Sequence, residues 1–159
     1  MSKELDLMNY NIIGEFNSGL KVYLENKLVM YSKVSRKFFS DIIKVYDRKQ
    51  NLILEVKQHS DYYEIIKIND KDFWDIIKIN KDEIIFGENQ VIDFRSKWFT
   101  ISLYPKMKIY FKNEEIGLIR AKLFSLNINT DLYIKRFEND LVKYVLILLL
   151  CRFSSVDHG

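Results

Sequence analysis

Hydrophobic and polar positions alternate with period two along most of the chain, in short runs separated by polar turns. The runs include Lys21-Val22-Tyr23-Leu24, residues 27–31, 42–46, 52–56, 63–68, 76–79, 107–111 and 116–119, and Leu132-Tyr133-Ile134. Between them lie the turn sequences Glu25-Asn26, Asp47-Arg48-Lys49-Gln50, Asn69-Asp70-Lys71, Gly87-Glu88-Asn89 and Lys112-Asn113-Glu114-Glu115. Alternation gives each strand one apolar and one polar face. Short strands with turn signals about every ten residues predict an antiparallel sandwich or barrel.

The alternation stops at Leu141–Cys151, where every residue but Lys143 is apolar. Its leucines are helix formers, and Asn139 or Asp140 stands where an N-cap belongs. We read Asp140 to about Phe153 as a helix. Eleven apolar residues make about 16 Å of helix, too short for a bilayer that needs about 20 such residues, so no transmembrane span is expected. A helix apolar on all sides must be enclosed by protein. A sandwich fills its own core, whereas a closed barrel of about a dozen strands is wide enough to be plugged by a helix. The expected fold is therefore all-β, an antiparallel closed barrel surrounding a buried hydrophobic C-terminal helix. Residues 1–159 form one domain, with about 1–10 as an N-terminal arm and 140–153 as the central helix.

Composition agrees and removes other classes. The 159 residues are 48% hydrophobic and 14% aromatic with one Pro, which excludes disorder and proline-rich linkers. Twenty-five Lys and Arg against 22 Asp and Glu leave a net charge of +3, so no nucleic-acid partner is expected and any basic site must be local. The one cysteine, Cys151, cannot close an intrachain disulfide, which fits a reducing compartment. Met1-Ser2-Lys3-Glu4-Leu5-Asp6 lacks the apolar run of a signal peptide. The expected location is cytoplasmic or peripheral at the membrane.

Lys37-Phe38-Phe39-Ser40, Lys97-Trp98-Phe99-Thr100 and Lys122-Leu123-Phe124-Ser125 repeat the pattern Lys, large apolar, Phe, hydroxyl. A weaker copy, Phe73-Trp74-Asp75-Ile76-Ile77-Lys78-Ile79, matches residues 39–45. Such repeats suggest a meander of similar hairpins, with the apolar pair packed on the core and the hydroxyl opening a turn. With the hairpin 106–119 and the terminal helix after Asp131-Leu132-Tyr133-Ile134, the chain resembles the Tubby C-terminal-like superfamily from about Leu20 to Phe153. This group includes Tubby proteins, phospholipid scramblases, LURP-one-related proteins and small bacterial members. The resemblance implies a twelve-stranded barrel around a core helix. In Tubby proteins it carries phosphoinositide binding on the outer surface, and scramblases act at membranes. No Tubby headgroup motif maps residue by residue onto this chain.

The chain offers its own candidate. Alternation over residues 106–112 sends Met107, Ile109 and Phe111 to one face and Lys106, Lys108, Tyr110 and Lys112 to the other. Arg120 and Lys122 close the next strand. Such a stripe could hold an anionic headgroup, each cation contributing about 1 kcal/mol near an anionic membrane. The plainer reading, which the pattern favours, is a solvated strand face that discourages edge pairing and is blunted by Glu114 and Glu115. No catalytic residue, metal site or cofactor is assigned. His59 and His158 are far apart, Cys151 reads as buried packing, and Asp41, Asp75, Glu83 and Glu88 read as solvated carboxylates. Gly117 reads as a bulge or close approach. The expected function is a non-catalytic module that binds an anionic membrane surface or a protein partner. The alternative is a lipocalin-like small-molecule carrier or an enzyme.

Overall fold

The computed structural model describes residues 6–15, 18–37, 40–96, 106–121, 128–136 and 139–154. Twelve strands run in chain order: β1 (Leu7–Glu15), β2 (Gly19–Leu24), β3 (Lys27–Lys37), β4 (Ser40–Asp47), β5 (Leu52–Gln58), β6 (Tyr62–Ile68), β7 (Ile76–Asn80), β8 (Glu83–Phe86), β9 (Gln90–Ser96), β10 (Lys106–Phe111), β11 (Glu114–Ala121) and β12 (Ile128–Lys135). A 3-10 turn (Lys71–Phe73) joins β6 to β7, and α1 (Asn139–Ser154) ends the described chain. Each strand pairs antiparallel with its neighbours in sequence. β1 closes the ring on β12 from Leu7↔Lys135 to Gly14↔Ile128.

Closure accounts for β1, which, like β8 and β9, is absent from the alternating runs named above. The arm expected over about residues 1–10 gives way at Leu7 to β1, whose Met8, Tyr10 and Ile12 point into the core. Its run Leu7-Met8-Asn9-Tyr10-Asn11-Ile12 does alternate, but its outward positions, Leu7, Asn9 and Asn11, carry no charge, which makes it resemble a loop. Two hairpins turn in two residues with left-handed backbone, Glu25-Asn26 (φ 51° and 65°) and Lys112-Asn113 (φ 52° and 64°). That geometry matches the twist of the flanking strands and tolerates asparagine well.

The helix lies inside the ring. Val142 and the whole run Tyr144–Cys151 are buried. α1 touches β2, β3 and β4 on one wall and β8 across the ring. Burial on every side is what an all-apolar helix requires. Its few polar groups sit at the ends and bond to the barrel. Lys143 Nζ donates to the Asp72 carbonyl (2.8 Å) and lies over the rings of Phe73 and Tyr144. Tyr144 donates its hydroxyl proton to Asp75 Oδ2 (2.6 Å) and stacks on Phe86. At the other end Arg152 bonds the Lys81 carbonyl (3.0 Å) and the Asp82 carboxylate. The buried Ser154 hydroxyl shares a hydrogen bond with Ser32, which accepts the Leu20 N–H (2.9 Å). Among the described residues no helix is long and apolar enough to cross a membrane.

Of the carboxylates read as solvated, Asp41 is instead buried at 8% exposure within β4. Asp75 is exposed as expected and also accepts the Tyr144 hydroxyl proton, and the half-buried Glu83 accepts from Asn80 Nδ2 (2.7 Å). The Phe73 copy of the repeat buries Phe73 but leaves Trp74 66% exposed, because the chain leaves the wall there to form the 3-10 turn. Phe38 and Phe39, and the copies at 97–100 and 122–125, lie outside the described residues.

Candidate binding surface

The stripe predicted on the 106–120 hairpin is only partly assembled. Lys106 pairs with Arg120 in the β10–β11 register, and Lys108 with Leu118. Ile109 is fully buried while Met107 and Phe111 are partly so, which leaves Lys108 and Tyr110 outward as alternation requires. Lys112 is not on that face. The strand ends at Phe111, and Lys112 occupies the left-handed turn with its ammonium 5.2 Å from the Phe111 ring centre. Lys122 lies outside the described residues.

The cations that do face outward are in unequal states. Lys108 pairs with Glu115 at 3.5 Å, so the acidic end of the hairpin does blunt the stripe. Tyr110 lies beneath the guanidinium of Arg95, 4.1 Å from the ring centre, and Arg95 in turn bonds Asp93. Arg120 differs from both. Its cross-strand neighbour on β12 is Asp131, but Asp131 accepts instead from Asn11 Nδ2 (3.1 Å), reaching over from β1. Arg120 Nε is enclosed and has no hydrogen-bond partner among the described residues. An enclosed donor without an acceptor costs about 1–3 kcal/mol, and more when charged.

Arg120 borders a surface depression lined by Leu7, Leu118, Tyr133, Lys135, Glu115 and the backbone around Gly117. Ile116 is the extra residue of a bulge against β10, and Gly117 lets β11 lie close to β12, since a Cβ there would come 2.5 Å from the Tyr133 carbonyl oxygen. The bulge and close approach expected of this glycine are both present, and together they form the floor. The arrangement can bind an anionic group: a guanidinium presents a planar fork of donors to phosphate or carboxylate. Leu7, Leu118 and Tyr133 give the rim apolar and aromatic surface. Sequence reading found Arg120 but missed Leu7, Tyr133 and Lys135. Alternation beside Leu132 and Ile134 marks Tyr133 and Lys135 as outward, yet only the barrel closure brings them to Arg120.

Elsewhere the reactive side chains are occupied structurally. Burial pushes the Cys151 thiol up to about 12. His59 Nε2 lies 2.9 Å from Glu64 Oε1 and its ring stacks on Tyr62. Among the described residues, no group of three or more His, Cys, Asp or Glu side chains converges as for a metal ion. Comparison of the chain with protein-family models, with curated proteins and with solved structures finds no match.

Proposed function

We propose that this protein is a non-catalytic binding module that takes an anionic group at Arg120 on the outer face of β10–β12, with a phospholipid headgroup as its source. The observation that carries the reading is Arg120 lining an apolar and aromatic depression on the outer wall. Apolar side chains, a tyrosine and cations together suit the headgroup boundary of a bilayer. The filled interior supports an exterior function and speaks against a lipocalin-like carrier, whose ligand would need the space α1 occupies. Outward strand positions such as Lys33, Lys44, Glu55 and Lys57 are charged, unlike the apolar outer band of a membrane-spanning barrel, so contact is peripheral. Twelve antiparallel strands around a C-terminal helix support the Tubby-like reading, with its scramblase and LURP-one-related members, and a cytoplasmic site of action goes with it.

The test is co-sedimentation with vesicles of phosphatidylcholine alone and with phosphatidylserine added, at low and raised salt. Binding should require the anionic lipid, weaken as salt screens it, and fall several-fold in Arg120→Gln. Excess inorganic phosphate separates the two sources of the anion: a headgroup held with its bilayer resists competition, whereas a site for free phosphate is emptied. Binding indifferent to lipid charge, or unchanged in Arg120→Gln, would overturn the proposal.

A further inference from the structure

The tetrapeptide Ile-Ile-Lys-Ile occurs twice, at 65–68 on β6 and at 76–79 on β7. Each copy coincides with a bulge. Lys67 pairs with Glu55 and Ile65 with Val56, so Ile66 is the extra residue of β6; Ile76 pairs with Phe86 and Lys78 with Ile85, so Ile77 is the extra residue of β7. A bulge re-aims a side chain. Here it sends the second isoleucine of each copy outward, Ile66 to 45% and Ile77 to 54% exposure, while Ile76 and Ile79 stay buried.

These isoleucines flank the weakest seam of the wall. The β6–β7 ladder consists of Tyr62↔Asn80 and Tyr63↔Ile79 alone, after which the strands part around the 3-10 turn. Trp74 stands at the far end of the gap, its indole N–H on the Ile68 carbonyl (3.0 Å). Tyr62, Ile66, Trp74 and Ile77 are four of the six large apolar side chains exposed among the described residues. Their gathering on one seam marks an interaction surface.

The charges around the patch say what fits it. By register, Tyr62, Glu64 and Lys78 stand at the paired end, and Lys67, Lys71, Asp72 and Trp74 at the open end. A two-fold axis lying in the plane of the contact and crossing the strands at Ile66 and Ile77 lays one wall face to face on the other and carries one end onto the other. Glu64 then meets Lys67 of the second copy, Tyr62 comes toward Trp74, and the isoleucines meet themselves. That is the self-complementarity of an isologous interface, with an apolar aromatic centre and a charged rim. An anionic bilayer would call instead for charge of one sign. We propose that the β6–β7 seam is the surface on which two copies of this chain pair. The ring order places it across the barrel from β12 and β1, so pairing leaves the Arg120 depression open, and the inference stands apart from the function proposed above.

The test is molar mass by sedimentation velocity over a wide concentration range. The unaltered chain should pass from monomer to dimer, and Ile77→Lys, at an exposed site, should remain monomeric with unchanged thermal unfolding. Lys67→Glu should weaken pairing at least several-fold, and adding Glu64→Lys should restore it, because exchanged charges still meet across the axis. This charge pair keeps the test decisive if the isoleucine variant folds poorly. A chain monomeric at every concentration, a dimer indifferent to both Ile77→Lys and Lys67→Glu, or a monomer that loses vesicle binding in Ile77→Lys would overturn the proposal.

Discussion

Arg120 owes its character to a competition settled on the next strand: Asn11 takes the carboxylate of Asp131, and the arginine directly opposite is left with an enclosed donor. A residue kept for the fold would be missed when truncated, whereas one kept for binding can be removed at no loss of stability. Arg120→Met should therefore leave the urea midpoint unchanged or raise it by up to about 1 kcal/mol of stability, because it removes an unsatisfied donor and keeps the aliphatic stem. A clear destabilisation would make Arg120 structural. Cys151 gives a second signed expectation. Burial raises its pKa from 9.0 to about 12, so the fold opposes the thiolate. Its contribution is complete below about pH 9 and is lost as pH climbs from there toward 12. Tyr144, raised by burial first and by its bond to Asp75 second, titrates in the same direction. Stability followed by urea unfolding should fall over that alkaline range, less steeply in Cys151→Ala; equal slopes in the two proteins would contradict the buried-thiol account.

Among the elements, α1 was the most legible, because eleven residues with one charge allow few other arrangements. What composition could not supply was the reason for that charge. Lys143 looks like a flaw in an apolar helix until the 3-10 turn at 71–73 is in place to receive it through the Asp72 carbonyl. Leu148, fully buried at mid-helix, has no such escape. Leu148→Lys should abolish soluble folded protein, since an unpaired charge enclosed in a filled barrel is destabilising by several kcal/mol; expression of a folded variant with unchanged circular dichroism would argue against the plug. The β10–β11 hairpin shows the opposite balance. Period two gave the faces of residues 107–111 correctly, but it assumed that the strand continued to Lys112, where a two-residue turn already reverses the chain. The bulges at Ile66 and Ile77 escape the same rule, because two adjacent isoleucines read as one inward run until the register of the partner strand shows which is extra.

At the scale of the molecule, closure is what the sequence leaves unstated. Nothing local in Leu7 or Tyr133 links them, although the β1–β12 ladder sets their strands side by side and makes one rim of both. The same closure encloses α1, and the consequence for function is direct: a barrel occupied by its own helix offers ligands and partners its outside. Native-state hydrogen exchange of the α1 backbone amides tests that claim most directly. If the helix fills the ring, amides from Tyr144 to Leu150 should exchange only through global unfolding, with free energies equal to those of the slowest amides in β4, β5 and β11. Helix amides that exchange through local opening, while the strand amides stay protected, would show a helix that leaves the barrel without unfolding it and would contradict the account.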